Sequence, residues 1–246
     1  MILVNHPSVL QSHCSFVSNH NLWVVMSFLV RDSCLHILKA AYSDGFEEDV
    51  IATVLHEILK GLKYLHHHGH IHRDVKAGNI LIGSHGAIKL GDFGVSTCLF
   101  YSVFVSLSYR MTPEVMEQLH DYDFKVDIWS FGITALELTH GHALFLKYPP
   151  MKVLLMTLQN TLPSHDYERD KKFSKMIASC LVKDPSKQSS AKKLLKHSFF
   201  KQARSNDYIS RTLLAGPPAL GDRIKELKRY EEYILTEKKM PYGQME

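Results

Sequence analysis

The chain has 246 residues, 45% of them apolar, and a formal net charge of +4 at pH 7. This length and composition allow one large or two small globular domains with a substantial core. The charge is mild, and the basic run at 192–196 has the spacing of a solvated helix face, which argues against a nucleic-acid-binding protein. The cysteines are far apart and no secretory leader is evident, so we expect reduced thiols and a cytoplasmic or nuclear protein.

The first thirty residues contain no Lys, Arg, Asp or Glu. Polar residues interrupt every apolar run in this segment, which excludes a membrane span. The pattern predicts two strands, Leu10 to Val17 and Leu22 to Leu29, joined by a turn at residues 19–21. We expect a buried hairpin.

A helix is predicted from Glu47 to about Leu65, because apolar residues recur there every three or four positions. It should end at His68-Gly69, a plausible C-cap. Five histidines crowd the end of this helix, between His66 and His72. A metal site is one explanation; favourable contact with the helix dipole is the stronger one, since no acidic or Cys ligand lies at matching spacing.

Two motifs follow, His72 to Asn79 and Asp92-Phe93-Gly94, and together they point to phosphoryl transfer. That reaction needs a carboxylate to meet the incoming hydroxyl, for which Asp74 is the candidate. Asn79 and Asp92 offer the hard oxygen ligands that suit Mg²⁺. Lys76 would place an ammonium beside the transferred group. Between the motifs, Ile80–Ile82 and Ala87–Leu90 are predicted as strands joined by a turn at 83–86.

The second half of the chain is predicted to be mostly helical. A nearly all-apolar helix from Asp127 to about Leu138 indicates a central buried element. Further helices fit residues 149–158, 172–181 and 190–196. Turn residues at 216–218 precede a last helix, about Asp222 to Lys239, which would dock on its own domain or bind a partner helix.

The motifs also occur in the order expected of a protein kinase. They are His6-Pro7-Ser8-Val9, Leu22 to Met26, the two loops, Pro113-Glu114-Val115-Met116 and Asp127 to Gly132. Residues 6–200 resemble sterile-20-like serine/threonine kinases of the fray and oxidative-stress-responsive branch, plant members in particular. The resemblance implies an α+β, protein-kinase-like fold with a mainly α-helical C-lobe. Residues 1–30 would be a remnant of the N-lobe, 31–203 the C-lobe and 204–246 a C-terminal extension.

The resemblance also implies roles for individual residues. ATP and Mg²⁺ would be the cofactors, and Asp74, Lys76 and Asn79 the catalytic residues. Met26 would be the gatekeeper, Ser27, Phe28 and Leu29 part of the hinge, and Leu81 the floor beneath adenine. Asp127 would brace the catalytic loop, and His72 would stack with Phe93 in the hydrophobic spine. Arg73 would meet a phosphate on the activation segment, and Glu114 would pair with a late cation.

The sequence departs from the family pattern in its upper lobe and its activation segment. No Gly-x-Gly is present, the first Lys is Lys39, and the first acidic residue is Asp32. We therefore expect weak or absent ATP binding, as in a truncated kinase or a degenerate copy. Val103 and Leu107 stand where the family has threonines, so Arg73 loses its phosphate partner. Glu114 would face Gln188 instead of an arginine.

Two functions remain open besides the metal site. The first is a kinase that phosphorylates Ser or Thr of protein substrates. The second is an inactive pseudokinase or fragment that serves as a scaffold for signalling partners, with residues 222–239 as a docking helix.

Overall fold

The structure is a computed structural model that describes residues 4–27, 29, 33–92, 123–142 and 171–214. Several sequence predictions lie outside these residues. They are the roles of Phe28, Phe93, Gly94 and Glu114, the activation segment around 103–114, and the helices at 149–158 and 222–239.

The described residues form an α+β fold, as predicted. The strands are β1 (Ser12–Ser18), β2 (Asn21–Met26), β3 (Ile80–Ile82) and β4 (Ile88–Leu90). The helices are α1 (Cys34–Ala41), α2 (Glu48–His67), α3 (Lys125–His140), α4 (Lys171–Cys180), α5 (Ala191–Leu194) and α6 (Asn206–Leu213). Short 3-10 turns cover Ala77–Asn79 and Ser198–Gln202. β1 pairs antiparallel with β2, and β3 pairs antiparallel with β4.

Helix α2 runs through the middle of the core. Its apolar stripe, which the sequence predicts, is fully buried from Ile51 to Leu65. Acidic Glu48 and Asp49 lie in its first turn, where their negative charges interact favourably with the positive end of the helix dipole. The helix ends at His68, and Gly69 follows with φ +74°, a left-handed conformation that glycine adopts without strain.

Helix α3 is buried on every side, from Val126 to Thr139. It can approach α4 closely because Gly132 has no side chain: a Cβ built there would lie 2.8 Å from the Cβ of Cys180. A mostly apolar sequence thus becomes the second central element of the core, and its few polar side chains, such as Asp127, Thr134 and Glu137, are buried with it.

The hairpin β1–β2 forms as predicted, but the prediction that it is buried is wrong. Phe16 is 52% exposed and Val17 73% exposed, on opposite faces of the two strands. Apolar strands are buried only where another layer covers them, and within the described residues the two strands pair with each other alone. Asn19 and His20 form the turn with positive φ, as hairpin turns that match strand twist require.

The segment just before the hairpin attaches it to the core. Leu10 donates its N–H to the carbonyl oxygen of Leu90 (2.8 Å), and the Leu90 N–H is bonded to the Ser8 carbonyl oxygen (2.9 Å). Val9 is completely buried between these contacts. The Ser8 hydroxyl also donates to the carboxylate of Glu57 on α2 (2.9 Å). Residues 8–10 are therefore anchored to β4 and α2, whereas the hairpin beyond them is exposed.

Candidate functional site

The loop at 72–79 connects α2 to β3 and is fixed from below by one buried carboxylate. Asp127 on α3 accepts hydrogen bonds from the backbone N–H groups of His72 (2.9 Å) and Arg73 (2.8 Å). Its Oδ2 also lies 2.8 Å from Nε2 of His66. Asp127 has no exposed surface, so these partners replace the water that its charge would otherwise need. Arg73 has a φ of +71°, a left-handed conformation that its backbone bond to Asp127 helps to hold.

Two more polar side chains of α3 hold the loop. The Thr134 hydroxyl lies 3.1 Å from the carbonyl oxygen of Val75, and Oε2 of Glu137 accepts from the N–H of Ala77 (3.3 Å). Sequence reasoning did not identify Thr134, Glu137 or the contact of His66. A signal was present, because Asp127, Thr134 and Glu137 recur at seven and three residues within a mostly apolar helix, which places them on one face.

The predicted catalytic residues lie together. The Lys76 ammonium is 2.5 Å from Oδ2 of Asp74. The Asn79 amide nitrogen donates to the backbone oxygen of Asp74 (2.8 Å) and to its Oδ2 (3.0 Å). Asp74 and Asn79 are both largely buried, so each side chain is held in one orientation by the other.

Asp92 lies two residues after the end of β4, beyond Gly91, and is exposed. The N–H of Gly91 donates to the carbonyl oxygen of Asn79 (2.7 Å), which brings the start of the second motif against the end of the first. The side-chain nitrogen of Asn79 is engaged with Asp74, so its side-chain oxygen, Oδ1, is the atom that can face a cation. That oxygen and the carboxylate of Asp92 are the hard ligands that Mg²⁺ takes, and the donor set therefore fits the metal.

His72 links the two motifs through its ring. Burial lowers the pKa of His72, while Asp127 and the bond to the Gly91 carbonyl oppose that effect. In the neutral ring, Nε2–H donates to the carbonyl oxygen of Gly91 (2.9 Å), because a carbonyl can only accept. Nδ1 then accepts the N–H of Asp74, at 3.3 Å. In a neutral His72 ring, both nitrogens therefore have a hydrogen-bond partner, one in each motif's neighbourhood: Gly91 beside Asp92, and Asp74.

The residues predicted to contact adenine lie at the end of the hairpin and on β3. Met26 is partly exposed at the end of β2, and the Ser27 hydroxyl is 3.0 Å from Nε2 of His13. Leu29 lies beside Gly83, because its Cδ2 would be 3.7 Å from a Cβ built there. Leu81 packs over Gly91, where an added Cβ would lie 2.9 Å from the Cδ1 of Leu81. Leu81 on β3 and Leu29 beside Gly83 thus both lie at the β3–β4 hairpin that precedes Asp92.

Gln188, predicted to face Glu114, is buried. Its amide nitrogen donates to the carbonyl oxygen of Cys180 (2.6 Å). The ammonium of Lys125 donates to the backbone oxygens of Pro185 (2.8 Å) and Gln188 (2.6 Å). Within the described residues the Gln188 Oε1 has no hydrogen-bond partner.

The histidines at the end of α2 make separate contacts. His66 bonds to Asp127, whereas Nδ1 of His68 lies 2.8 Å from the carbonyl oxygen of Tyr64. Among the described residues, no three or more His, Cys, Asp or Glu side chains lie close enough to hold a metal ion. In the same part of the chain, no helix is long and apolar enough to cross a membrane.

Residues 1–200 match the protein kinase domain family. The chain belongs to the protein kinase family.

Within that family, the chain is similar to serine/threonine kinases of the sterile-20-like fray and germinal center group, as the sequence motifs indicate. It is 51% identical to serine/threonine-protein kinase fray2 of Dictyostelium discoideum, over 92% of the chain and 23% of that protein. It is 45% identical to germinal center kinase 3 of Caenorhabditis elegans, over 85% of the chain and 40% of the relative. For fray1 of Dictyostelium discoideum the identity is 44%, over 90% of the chain and 40% of the relative. The chain therefore spans less than half the length of each of these relatives.

Proposed function

We propose that this chain carries the lower half of the active site of a serine/threonine kinase, which transfers the γ-phosphoryl group of ATP to hydroxyl groups of protein substrates. The observation that carries the proposal is the cluster of Asp74, Lys76 and Asn79, with Asp74 within hydrogen-bond distance of both other side chains. Phosphoryl transfer depends mainly on positioning and charge neutralisation, and this cluster can supply both.

Each side chain has a distinct role in the proposal. Asp74 accepts the hydrogen bond of the incoming hydroxyl and holds its oxygen in line with the phosphorus. Lys76, already paired with Asp74, steadies negative charge on the moving phosphoryl group. Asn79 and Asp92 would hold Mg²⁺, which when bound neutralises charge on the phosphate oxygens.

Nucleotide binding depends on residues of the hairpin and β3. Met26, Ser27 and Leu29 would contact adenine from the hinge, and Leu81 would form its floor. No lysine precedes Lys39 in the sequence, so these residues offer no cation above the phosphates. The proposal therefore includes weak ATP binding by this chain.

Transfer of labelled phosphate to a generic protein substrate tests the proposal. Wild-type chain with Mg²⁺ and labelled ATP should label Ser and Thr, and Asp74→Asn and Asp92→Asn should each abolish the label. The carboxylate of Asp184, 44% exposed, provides a matched control, since Asp184→Asn changes the same charge away from the site and should label like wild type. Equal labelling by wild type and both site variants would refute the proposal.

A second candidate is a binding protein without catalytic activity, such as a pseudokinase that serves as a scaffold in signalling. It is favoured by the exposed β1–β2 hairpin and by Val103 and Leu107 at positions where the resemblance implies threonines. Thermal unfolding with increasing Mg-ATP separates the candidates. The scaffold role predicts no shift of the midpoint, whereas a saturable upward shift would count against it.

The remaining parts of the proposal concern partners and location. We place the protein in the cytoplasm or nucleus, acting on protein substrates or signalling partners. Residues 222–239 are proposed as a helix that docks on the domain or binds a partner helix.

A further inference from the structure

Residues 171–201 are far more basic than the rest of the chain. They contain nine lysines, one acidic residue (Asp184) and no arginine, which gives 9 − 1 = +8. The whole chain has a formal charge of +4, so the remaining residues together carry 4 − 8 = −4. All nine lysines are exposed, and we call them the lysine surface: Lys171, Lys172, Lys175, Lys183, Lys187, Lys192, Lys193, Lys196 and Lys201.

The elements that carry the lysine surface pack against one another. The rings of Phe173 on α4 and Phe199 in the 3-10 turn Ser198–Gln202 lie 5.2 Å apart. The N–H of Ser189, just before α5, donates to the carbonyl oxygen of Ser179 on α4 (3.2 Å). Burial lowers the pKa of His197, which follows α5, and the charge of Lys175 on α4 lowers it further, so Lys175 lies close to the segment after α5.

The side-chain types of the lysine surface favour one class of anionic partner over others. Arginine and exposed aromatic rings are the groups that grip phosphate bidentately or stack on bases. This surface has no arginine, and its aromatic side chains, Phe173, Phe199 and Phe200, are buried. Its single carboxylate, Asp184, is paired with Lys187 at 3.1 Å. Lysine ammonium groups are compact, strongly hydrated point charges, and a dense array of them suits a diffuse negative surface better than a shaped site.

We infer that the lysine surface binds anionic lipid bilayers by electrostatic adsorption, without insertion of apolar groups. This inference does not depend on the proposed kinase activity. Each lysine near an anionic bilayer contributes roughly a fivefold increase in partitioning, and this contribution decreases as salt screens the charges.

Sedimentation of the full 246-residue chain with vesicles tests the inference. Vesicles of phosphatidylcholine with 30% phosphatidylserine are compared with pure phosphatidylcholine vesicles over a range of salt concentrations. The variant Lys192→Glu/Lys196→Glu reverses two exposed charges of the lysine surface. The control Lys39→Glu/Lys63→Glu reverses two exposed lysines elsewhere and gives the same net charge.

We expect binding to the phosphatidylserine vesicles only, with loss at high salt. The first pair should weaken partitioning by at least roughly 20-fold, and the control pair by less than threefold. Circular dichroism melts verify that both variants remain folded. Equal loss in the two pairs, or equal binding to both kinds of vesicle, would overturn the inference. So would binding to polyuridylate without binding to vesicles, which would assign the lysine surface to nucleic acid.

Discussion

The substitution Asp127→Asn tests how the catalytic loop is held in place. The carboxylate of Asp127 has no exposed surface and accepts from two backbone N–H groups and the His66 ring, at 2.8–2.9 Å. Asparagine is nearly the same size but has one acceptor oxygen, so its NH₂ group must point toward one of these donors. At least one backbone N–H then becomes buried and unpaired.

The magnitude follows from the contacts that are lost. A hydrogen bond to a charged group contributes about 1.5–3 kcal/mol. Losing one such bond and weakening the others should reduce the free energy of unfolding by about 3 kcal/mol. For a chain of this size, that corresponds to a fall in the thermal midpoint of roughly 6–12 °C.

Thermal unfolding followed by circular dichroism measures the effect, with the Asp184→Asn variant as a matched control. Asparagine at 184 keeps an oxygen that can accept from Ser186, and the ion pair with Lys187 that it loses is solvent-exposed and contributes little, so the control should melt close to the wild-type midpoint. Hydrogen exchange at the amides of His72 and Arg73 should accelerate in Asp127→Asn alone. If Asp127→Asn melts with the wild-type midpoint, the buried carboxylate does not hold the loop.

Three further predictions concern pH, a close backbone contact and the hairpin. Burial depresses the pKa of His72 below its ordinary value of 6.5, so the unfolded chain takes up a proton at this residue that the folded chain does not. The free energy of unfolding should therefore fall as pH is lowered through 6.5. Urea unfolding at several pH values between 7.5 and 5.5 should show that this free energy changes less with pH in His72→Phe than in wild type; an equal change in both would contradict this. Gly86 and Gly69 both have φ +74°, but a Cβ at Gly86 would lie 2.0 Å from a backbone oxygen of α6, whereas one at Gly69 meets nothing within 4 Å. In urea unfolding, Gly69→Ala should lower the free energy of unfolding by the conformational strain alone, about 1–2 kcal/mol, and Gly86→Ala should lower it by more. Equal losses would mean that α6 does not pack against Gly86. Val9→Thr places a hydroxyl in the core and should cost about 1–3 kcal/mol, whereas Val17→Thr at the exposed hairpin should stay within about 0.5 kcal/mol, and similar values for the two would show that the hairpin is covered.

Periodic apolar patterns made the central helices predictable from the sequence. The apolar stripe of α2 predicts a helix buried on one side, and the nearly all-apolar run of α3 predicts a helix buried all round. The structure has helices at both places. The bounds differ by a few residues, because the last turns of a helix depend on local caps more than on the stripe. In α2 the helix extends two residues beyond Leu65, to His67.

The hairpin was predicted correctly in its pairing and incorrectly in its burial. Pairing is local, since alternating residues and a turn at Asn19-His20 specify it. Burial depends on which other layer covers the strands, and a strand pattern does not contain that information.

The candidate site was predictable in its motifs and less so in its support. Asp74, Lys76 and Asn79 are close in sequence, so the local chain already brings them together. The supporting contacts to His66, Thr134 and Glu137 join positions about sixty residues apart, and these require the packing of α2 against α3. Long-range hydrogen bonds of this kind follow from tertiary structure rather than from local sequence.

The decisive measurement is transfer of the γ-phosphoryl group of ATP by wild type, Asp74→Asn and Asp184→Asn. We expect Mg²⁺-dependent labelling of serine and threonine by wild type and by the Asp184 variant, and a reduction of about 100- to 10,000-fold for the Asp74 variant. If Asp74→Asn labels at the wild-type rate, the cluster around Asp74 is not the site of phosphoryl transfer.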